Sequence, residues 1–235
     1  MPLVDGRKAR PTGKAAGTGD PEPGDLLGDD GNAAAGMGPA ATRPRREDAP
    51  VTAVEFAPSP LPPLTLVLGG ARSGKSAYAE ALIESQPGAC IYLATAAAAD
   101  AEMAERIARH RARRGGRWVT IEEPLALPAA LSRAGAPEAA VLVDCLTLWL
   151  ANLLAAARDP ETETAALLEV CAAAPGPLVL VANEVGLGIV PENALARRFR
   201  DAAGRLNQAV AAAADRVAFL AAGLPIILKD EAKRS

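Results

Sequence analysis

Several residue types are scarce in this chain of 235 residues, and each shortage removes a class of function. Aromatic side chains make up 3% of it, too few for a surface on which unpaired bases stack. Its formal net charge of −3 argues further against a partner held by a phosphate backbone, so no nucleic acid is expected. The three cysteines, Cys90, Cys145 and Cys171, lie far apart without a CxxC pair. They indicate neither a disulfide framework nor a zinc site, and they point to a reducing, cytoplasmic setting. Uninterrupted apolar runs of about 18 residues are missing, as is an N-terminal hydrophobic stretch of the signal-peptide kind, so a soluble protein without stable membrane insertion is expected.

Apolar residues form 50% of the chain, but 55 of them are alanine, so the core has to be built on Leu and Val and thinned by Ala. The first 50 residues contain no aromatic side chain and six large aliphatic ones, amid much Pro and Gly. Such a segment buries too little apolar surface to offset the entropy of ordering. Residues 1–62 are therefore expected to be a disordered Pro/Gly-rich extension and residues 63–235 a single domain. From Leu64 onward, short apolar runs alternate with helical stretches, the pattern of βαβ units around a buried parallel sheet. Strands are expected at Leu64–Leu68, Ala89–Ala94, Ala140–Val143, Pro177–Ala182 and Arg216–Ala221, with an edge strand at Pro225–Leu228. Helices are expected at Lys75–Ser85, Ala99–Arg113, Leu146–Ala157, Glu161–Ala173 and Glu192–Ala214. In the last of these, Leu195, Phe199, Leu206 and Val210, continued by Val217, read as a core stripe, and Arg197, Asp201 and Arg205 as an i, i+4 staircase, either of surface ion pairs or of substrate or subunit contacts. Phe199 and Trp149 read as core. Between Ala126 and Ala139 the Ala, Pro and Gly content leaves no element boundary legible.

After the first strand stands Gly69-Gly70-Ala71-Arg72-Ser73-Gly74-Lys75-Ser76, which meets every fixed position of G-x-x-x-x-G-K-[ST]. Glycines allow successive N–H groups to point inward at phosphate oxygens, while the following helix presents its positive end. Lys75 is placed to reach the β and γ phosphates, and the Ser76 hydroxyl to hold Mg²⁺. Lysine is rare, five residues against 20 arginines, and Lys75 is the only one between Lys14 and Lys229. A compact ammonium has been kept where a triphosphate needs it. A second requirement is an acid at the end of a neighbouring strand. Asp144 supplies it after Val141-Leu142-Val143, either holding the metal or nucleotide or capping the helix that begins near Leu146. Glu184, after Asn183, lies on the same sheet edge, where open α/β sheets bind ligands.

His110 is the only histidine, and Arg106, Arg109, Arg111, Arg113 and Arg114 surround it in sequence. Helical spacing puts Arg106, His110 and Arg113 or Arg114 on one face. Guanidinium neighbours disfavour protonation of the imidazole and leave it nucleophilic, while they neutralise a polyphosphate beside it. A neutral imidazole nitrogen can attack phosphorus. The alternative is an exposed basic helix whose histidine has no role.

The stretch Val181-Ala182-Asn183-Glu184-Val185-Gly186-Leu187-Gly188-Ile189-Val190-Pro191-Glu192-Asn193, followed by Arg197-Arg198-Phe199-Arg200-Asp201 and Gly204-Arg205-Leu206-Asn207-Gln208, is more specific than any phosphate loop. Together with Gly69 to Ser76, Leu93-Ala94-Thr95, the Arg106 to Arg114 segment and Trp118, it resembles the bifunctional adenosylcobinamide kinase/adenosylcobinamide-phosphate guanylyltransferase family of cobalamin biosynthesis, from about Leu64 to Lys229. The resemblance implies phosphorylation of adenosylcobinamide by ATP or GTP, then GMP transfer from GTP through a guanylylated histidine, for which His110 stands at the family's position. It also implies guanine-nucleotide contacts at Gly69, Gly70, Ala71, Arg72, Ser73, Gly74, Lys75 and Ser76, at Ala94, Thr95 and Ala96, at Arg111, Ala112, Arg113 and Arg114, and at Glu122 and Asp144. Catalysis would fall to His110 and Lys75, with Mg²⁺ held by Ser76 and Asp144. Adenosylcobinamide and its phosphate are the implied partners, and a homo-oligomer, often a trimer in relatives, the implied assembly. These features together lead us to expect an α/β P-loop NTPase of RecA-like type, its mostly parallel sheet flanked by helices. Two rival readings remain: a simple small-molecule kinase, in which His110 is dispensable, and a guanine-nucleotide switch, for which the Asn-Lys-x-Asp motif is missing.

Overall fold

The computed structural model describes residues 61–96 and 115–231. The expected N-terminal extension up to residue 60, the expected helix over 99–113, His110, Arg111, Ala112, Arg113 and Arg114 lie outside the described residues. The elements run β1 (Leu64–Gly69), α1 (Lys75–Glu84), β2 (Ala89–Ala94), β3 (Trp118–Glu122), α2 (Leu127–Ala134), β4 (Ala139–Asp144), α3 (Leu146–Ala155), α4 (Pro160–Ala172), β5 (Leu178–Asn183), α5 (Ala194–Ala213), β6 (Arg216–Ala221) and β7 (Leu224–Asp230).

The strands form one seven-stranded sheet in the order β3-β2-β4-β5-β1-β6-β7. All pairs are parallel except β6–β7. One strand, β5, separates the loop-bearing β1 from the acid-bearing β4, the RecA-like layout of P-loop NTPases. Strand period explains the two cores. Leu64, Leu66 and Leu68 of β1 point to the face covered by α2, α3, α4 and α5, whereas Val67 points to the face covered by α1. β1, β4 and β5 are buried almost throughout, so they read as continuous apolar runs without alternation.

Two elements went unrecognised in the sequence. Strand β3, Trp-Val-Thr-Ile-Glu, is short and half-exposed because it forms one edge of the sheet. Helix α2 fills the segment that Ala, Pro and Gly obscured; its first turn carries Pro128, and Leu127, Ala130, Leu131 and Ala134 form its buried stripe. Corrections also apply to α5. Leu206 and Val210 are buried and Phe199 packs against the core as expected, but Leu195 is 65% exposed, because it stands in the first turn beyond the sheet edge, and Val217 belongs to β6. The staircase does not form. Arg200 pairs with its neighbour Asp201, Arg205 with Glu161 of α4, and Arg197 donates to the carbonyls of Pro191 and Glu192, nearer acceptors than a side chain one turn away. Trp149 is fully buried with its Nε1 donating to the Leu125 carbonyl at 3.0 Å. Among the described residues, no helix is long and apolar enough to cross a membrane.

Candidate active site

The phosphate loop forms because β1 ends against its neighbours with no space for side chains. A Cβ on Gly69 would lie 2.5 Å from Ser73 Oγ and 2.7 Å from the Leu220 carbonyl oxygen, so only glycine fits. The chain then turns through Ala71 and Arg72, both exposed, with Arg72 at φ 56°. The Ser73 N–H donates back to the Gly70 carbonyl at 3.3 Å. Gly74, at φ 94°, caps α1 in the left-handed region. Behind the loop stands the β6–β7 turn, where Ala222 and Gly223 both have positive φ, as a two-residue hairpin of the right twist requires. Its Gly223 N–H donates to the Ser73 carbonyl at 2.9 Å, and a Cβ on Gly74 would come within 3.1 Å of Gly223 Cα.

Two polar side chains are buried inside this turn. Lys75 is 8% exposed, and its Nζ donates to the Gly70 carbonyl at 2.9 Å, curled over the loop it would serve. Ser73 is 7% exposed, and its Oγ has no hydrogen-bond partner among the described residues. An unpaired buried hydroxyl costs roughly 1–3 kcal/mol. An anion seated in the loop would meet that hydroxyl, the loop amides, Lys75 and the N-terminal end of α1 together.

Across the sheet, Ala94 of β2 is in register with both Glu122 of β3 and Asp144 of β4, so the two acids share one row at the carboxyl ends of the strands. The row is fixed by hydrogen bonds the sequence did not reveal. Tyr92 Oη donates to Asp144 Oδ2 at 2.9 Å. The Thr95 hydroxyl donates to the Cys145 carbonyl at 2.7 Å and accepts from the Cys145 N–H at 2.8 Å. Asn152 Nδ2 bridges the carbonyls of Thr95 and Pro124. Asp144 does not cap α3: Cys145 occupies the cap position without a side-chain bond, and the Asp144 carboxylate faces Tyr92. Burial pushes the Cys145 thiol up to about 11, with the charge of Asp144 adding to it. Next to Glu122, the Glu123 carboxyl sits below its ordinary range because the Ala126 and Leu125 N–H groups donate to it at the start of α2.

Ser76, half-buried in the first turn of α1, and Asp144 at the end of β4 are hard oxygen donors on one edge of the sheet. That donor type fits Mg²⁺, which takes one or two protein oxygens and completes its shell with phosphate and water. Gly69 to Ser76, Ala94, Thr95, Ala96, Glu122 and Asp144 all lie at the carboxyl end of the parallel strands, with Asp144 on β4, two strands from β1, and Glu122 on the edge strand β3, four strands from it. Tyr92, Asn152 and Gly223 were missed. The signal available for Tyr92 was its place two residues before Ala94 in an apolar strand, where a buried phenol needs an acceptor; Asn152 and Gly223 gave none.

Comparison with known proteins accounts for the combination. Residues 65–228 match the family model described as cobinamide kinase / cobinamide phosphate guanyltransferase. The bifunctional adenosylcobalamin biosynthesis protein CobP of Pseudomonas aeruginosa is 53% identical over 169 residues, 71% of this chain and 97% of that protein. The bifunctional adenosylcobalamin biosynthesis proteins CobU of Salmonella typhimurium and Escherichia coli are 44% and 41% identical, each over 71% of this chain and 99% of their own length. With a glycine loop after β1 closed by the buried Lys75 at the start of α1, and with Asp144 and Glu122 in one row at the same end of the sheet, the chain belongs to the cobinamide kinase / cobinamide phosphate guanyltransferase family.

Proposed function

We propose that this chain phosphorylates adenosylcobinamide with ATP or GTP and then transfers GMP from GTP to the resulting phosphate through His110. The observation that carries the reading is the loop itself: Lys75 is buried and curled onto Gly70, beside the unpartnered hydroxyl of Ser73, within a chain of this family. Phosphoryl transfer requires mainly positioning and charge stabilisation, which such a loop supplies. In the first reaction the acceptor hydroxyl oxygen forms a bond to the γ-phosphorus as the bond to the β-phosphate oxygen breaks. The nucleoside diphosphate leaves, and the hydroxyl proton passes to solvent or a nearby carboxylate.

In the second reaction an imidazole nitrogen of His110 attacks the α-phosphorus of GTP. The N–P bond forms as the α–β P–O bond breaks, and pyrophosphate leaves. A phosphate oxygen of the corrinoid then attacks the same phosphorus, the N–P bond breaks, and the histidine returns. Lys75 and the amides of Gly70 to Gly74 hold the departing phosphate oxygens, and Tyr92 keeps the Asp144 carboxylate aligned. Ser76 and Asp144 would hold Mg²⁺, which when bound neutralises phosphate charge. Arg111, Arg113, Arg114, Ala112, Ala94, Thr95, Ala96 and Glu122 complete the nucleotide contacts in this reading. Assembly as a homo-oligomer, such as a trimer, is supported by the exposed Leu224, Ile226 and Leu228 on β7, the open edge of the sheet.

The test is incubation with α-³²P GTP and Mg²⁺. Wild-type protein should acquire acid-labile, base-stable label, and His110→Ala should acquire none while retaining kinase activity on adenosylcobinamide. Label retained by His110→Ala would move the nucleophile elsewhere.

A further inference from the structure

The two segments of the chain more specific than its phosphate loop, residues 181–193 and 204–208, meet at Asn183, the last residue of β5. The backbone there is fixed from several sides. The Asn183 N–H donates to Thr147 Oγ1 at 2.7 Å, Asn207 Nδ2 donates to the Asn183 carbonyl at 3.2 Å, and the next N–H, that of Glu184, donates to the Gly69 carbonyl at 3.0 Å. Thr147 of α3 and Asn207 of α5 are both buried, so two polar side chains taken out of water hold the main chain of one residue. The Asn183 carboxamide itself is half-buried and makes no hydrogen bond among the described residues.

Register tells where that carboxamide is directed. Paired residues on parallel neighbours project to the same face of a sheet. Asn183 is the partner of Gly69, and a Cβ on Gly69 would run into Ser73 Oγ of the phosphate loop. Asn183 therefore projects to the face over which that loop folds, about 4.8 Å to one side of Gly69. Asp144 shares this face: its partner on β5 is Val181, two residues before Asn183, which lies in the same core layer as Val67 and Tyr78 of α1. Since β5 runs between β1 and β4, the carboxamide stands between the loop that would seat the phosphates and the carboxylate that would hold their metal.

An amide side chain offers what neither neighbour does, an N–H donor and a carbonyl acceptor in one uncharged plane; Lys75 only donates, and an ionised Asp144 only accepts. We infer that Asn183 aligns the two reactants of the kinase step, its Nδ2 donating to a γ-phosphate oxygen and its Oδ1 accepting from the hydroxyl that attacks. The inference rests on the functional reading above. The hydroxyl oxygen bonds to the γ-phosphorus, the bond to the β-phosphate oxygen breaks, and the nucleoside diphosphate leaves. Asn183 takes up no proton, because an amide is no base near neutral pH; the proton goes to solvent or a nearby carboxylate. Attack on the α-phosphorus by His110 has no use for this acceptor, since there the γ-phosphate departs within pyrophosphate. The two reactions should therefore respond differently to its loss.

The experiment compares the full chain as wild type, Asn183→Ala and Asn183→Asp in steady-state phosphorylation of adenosylcobinamide by GTP, in self-labelling with α-³²P GTP and in thermal unfolding. Both substitutions keep the N–H and carbonyl that Thr147 and Asn207 hold, and the aspartate keeps the shape and the acceptor while losing the donor. Asn183→Ala should lower kcat for phosphorylation about 100-fold, with KM for GTP and the rate of self-labelling within about threefold of wild type. Asn183→Asp, which turns a negative charge toward the γ-phosphate, should be slowed at least as much. Phosphorylation at the wild-type rate by either variant would overturn the inference and leave the functional reading standing. Loss of phosphorylation and self-labelling in step, with a lowered melting temperature in both variants, would also overturn it, by making Asn183 a support of the fold. Wild-type protein that phosphorylates no adenosylcobinamide would sink the inference and the functional reading together.

Discussion

The two connections that leave β1 and β5 start from adjacent, paired residues, Gly69 and Asn183, and they differ in every physical respect. The first is short and glycine-rich, turns inward and buries Ser73 and Lys75. The second is long and apolar, and it displays Leu187 and Ile189 to solvent. Each therefore inverts the usual rule, polar groups being buried in one and aliphatic groups exposed in the other. Both inversions cost free energy in the isolated chain, the buried hydroxyl of Ser73 for want of a partner and the aliphatic groups for want of cover. The carboxyl end of the sheet thus sets a buried polar loop and an exposed apolar one side by side.

The contrast can be broken from the polar side first. Lys75→Ala should lower both phosphoryl and nucleotidyl transfer about 100-fold or more while costing about 1 kcal/mol of stability, since the buried ammonium donates to the Gly70 carbonyl. Steady-state rates beside circular dichroism decide this; a loss confined to one reaction would show that the steps use separate phosphate seats. Next in size is Gly69→Ala. Its Cβ would meet the Leu220 backbone, which cannot swing away, so a loss of about 2–3 kcal/mol is expected in denaturant unfolding, together with weakened nucleotide binding.

The floor next to the loops responds to alkali. Cys145 has a folded pKa of about 11 against an ordinary value of 9.0, so its folded thiol holds its proton longer than the unfolded one. Its contribution is complete below pH 9 and is lost as pH climbs through about 11. Unfolding curves between pH 8 and 11 should show that decline in wild type and a shallower one in Cys145→Ala; identical slopes would place the alkaline transition in other groups. At the apolar loop, Asn193→Ala removes the acceptor for two N–H groups at the start of α5 and should cost about 1 kcal/mol. The smallest effect sharpens the comparison most: Gly188→Ala, in open space, should stay within about 0.5 kcal/mol of wild type, in contrast to the same change at Gly69.

Much of this was legible in the residues. The strands β1, β4 and β5 announced themselves because strands buried on both faces must be apolar throughout, and the phosphate loop because its geometry tolerates few residues at Gly69, Gly74 and Lys75. Strand β3 was hidden because an edge strand, half in water, has no such pattern. Leu195 misled because helical spacing assigns a face without saying whether anything lies opposite it, and α5 begins beyond the sheet. Arg197 misled because spacing puts Asp201 within its reach, but the Pro191 and Glu192 carbonyls lay nearer.

Sequence alone determined which residue types meet a phosphate and that the chain must build a parallel sheet to carry them, since both follow from local backbone freedom and from hydrophobic period. Only the tertiary structure decided that Tyr92 holds Asp144, that the Gly223 turn backs the loop, and that the aliphatic side chains after β5 stay in water. These depend on strand order and register, which bring residues distant in the chain within hydrogen-bond reach, and on where the sheet ends, which leaves an apolar loop nothing of its own to pack against.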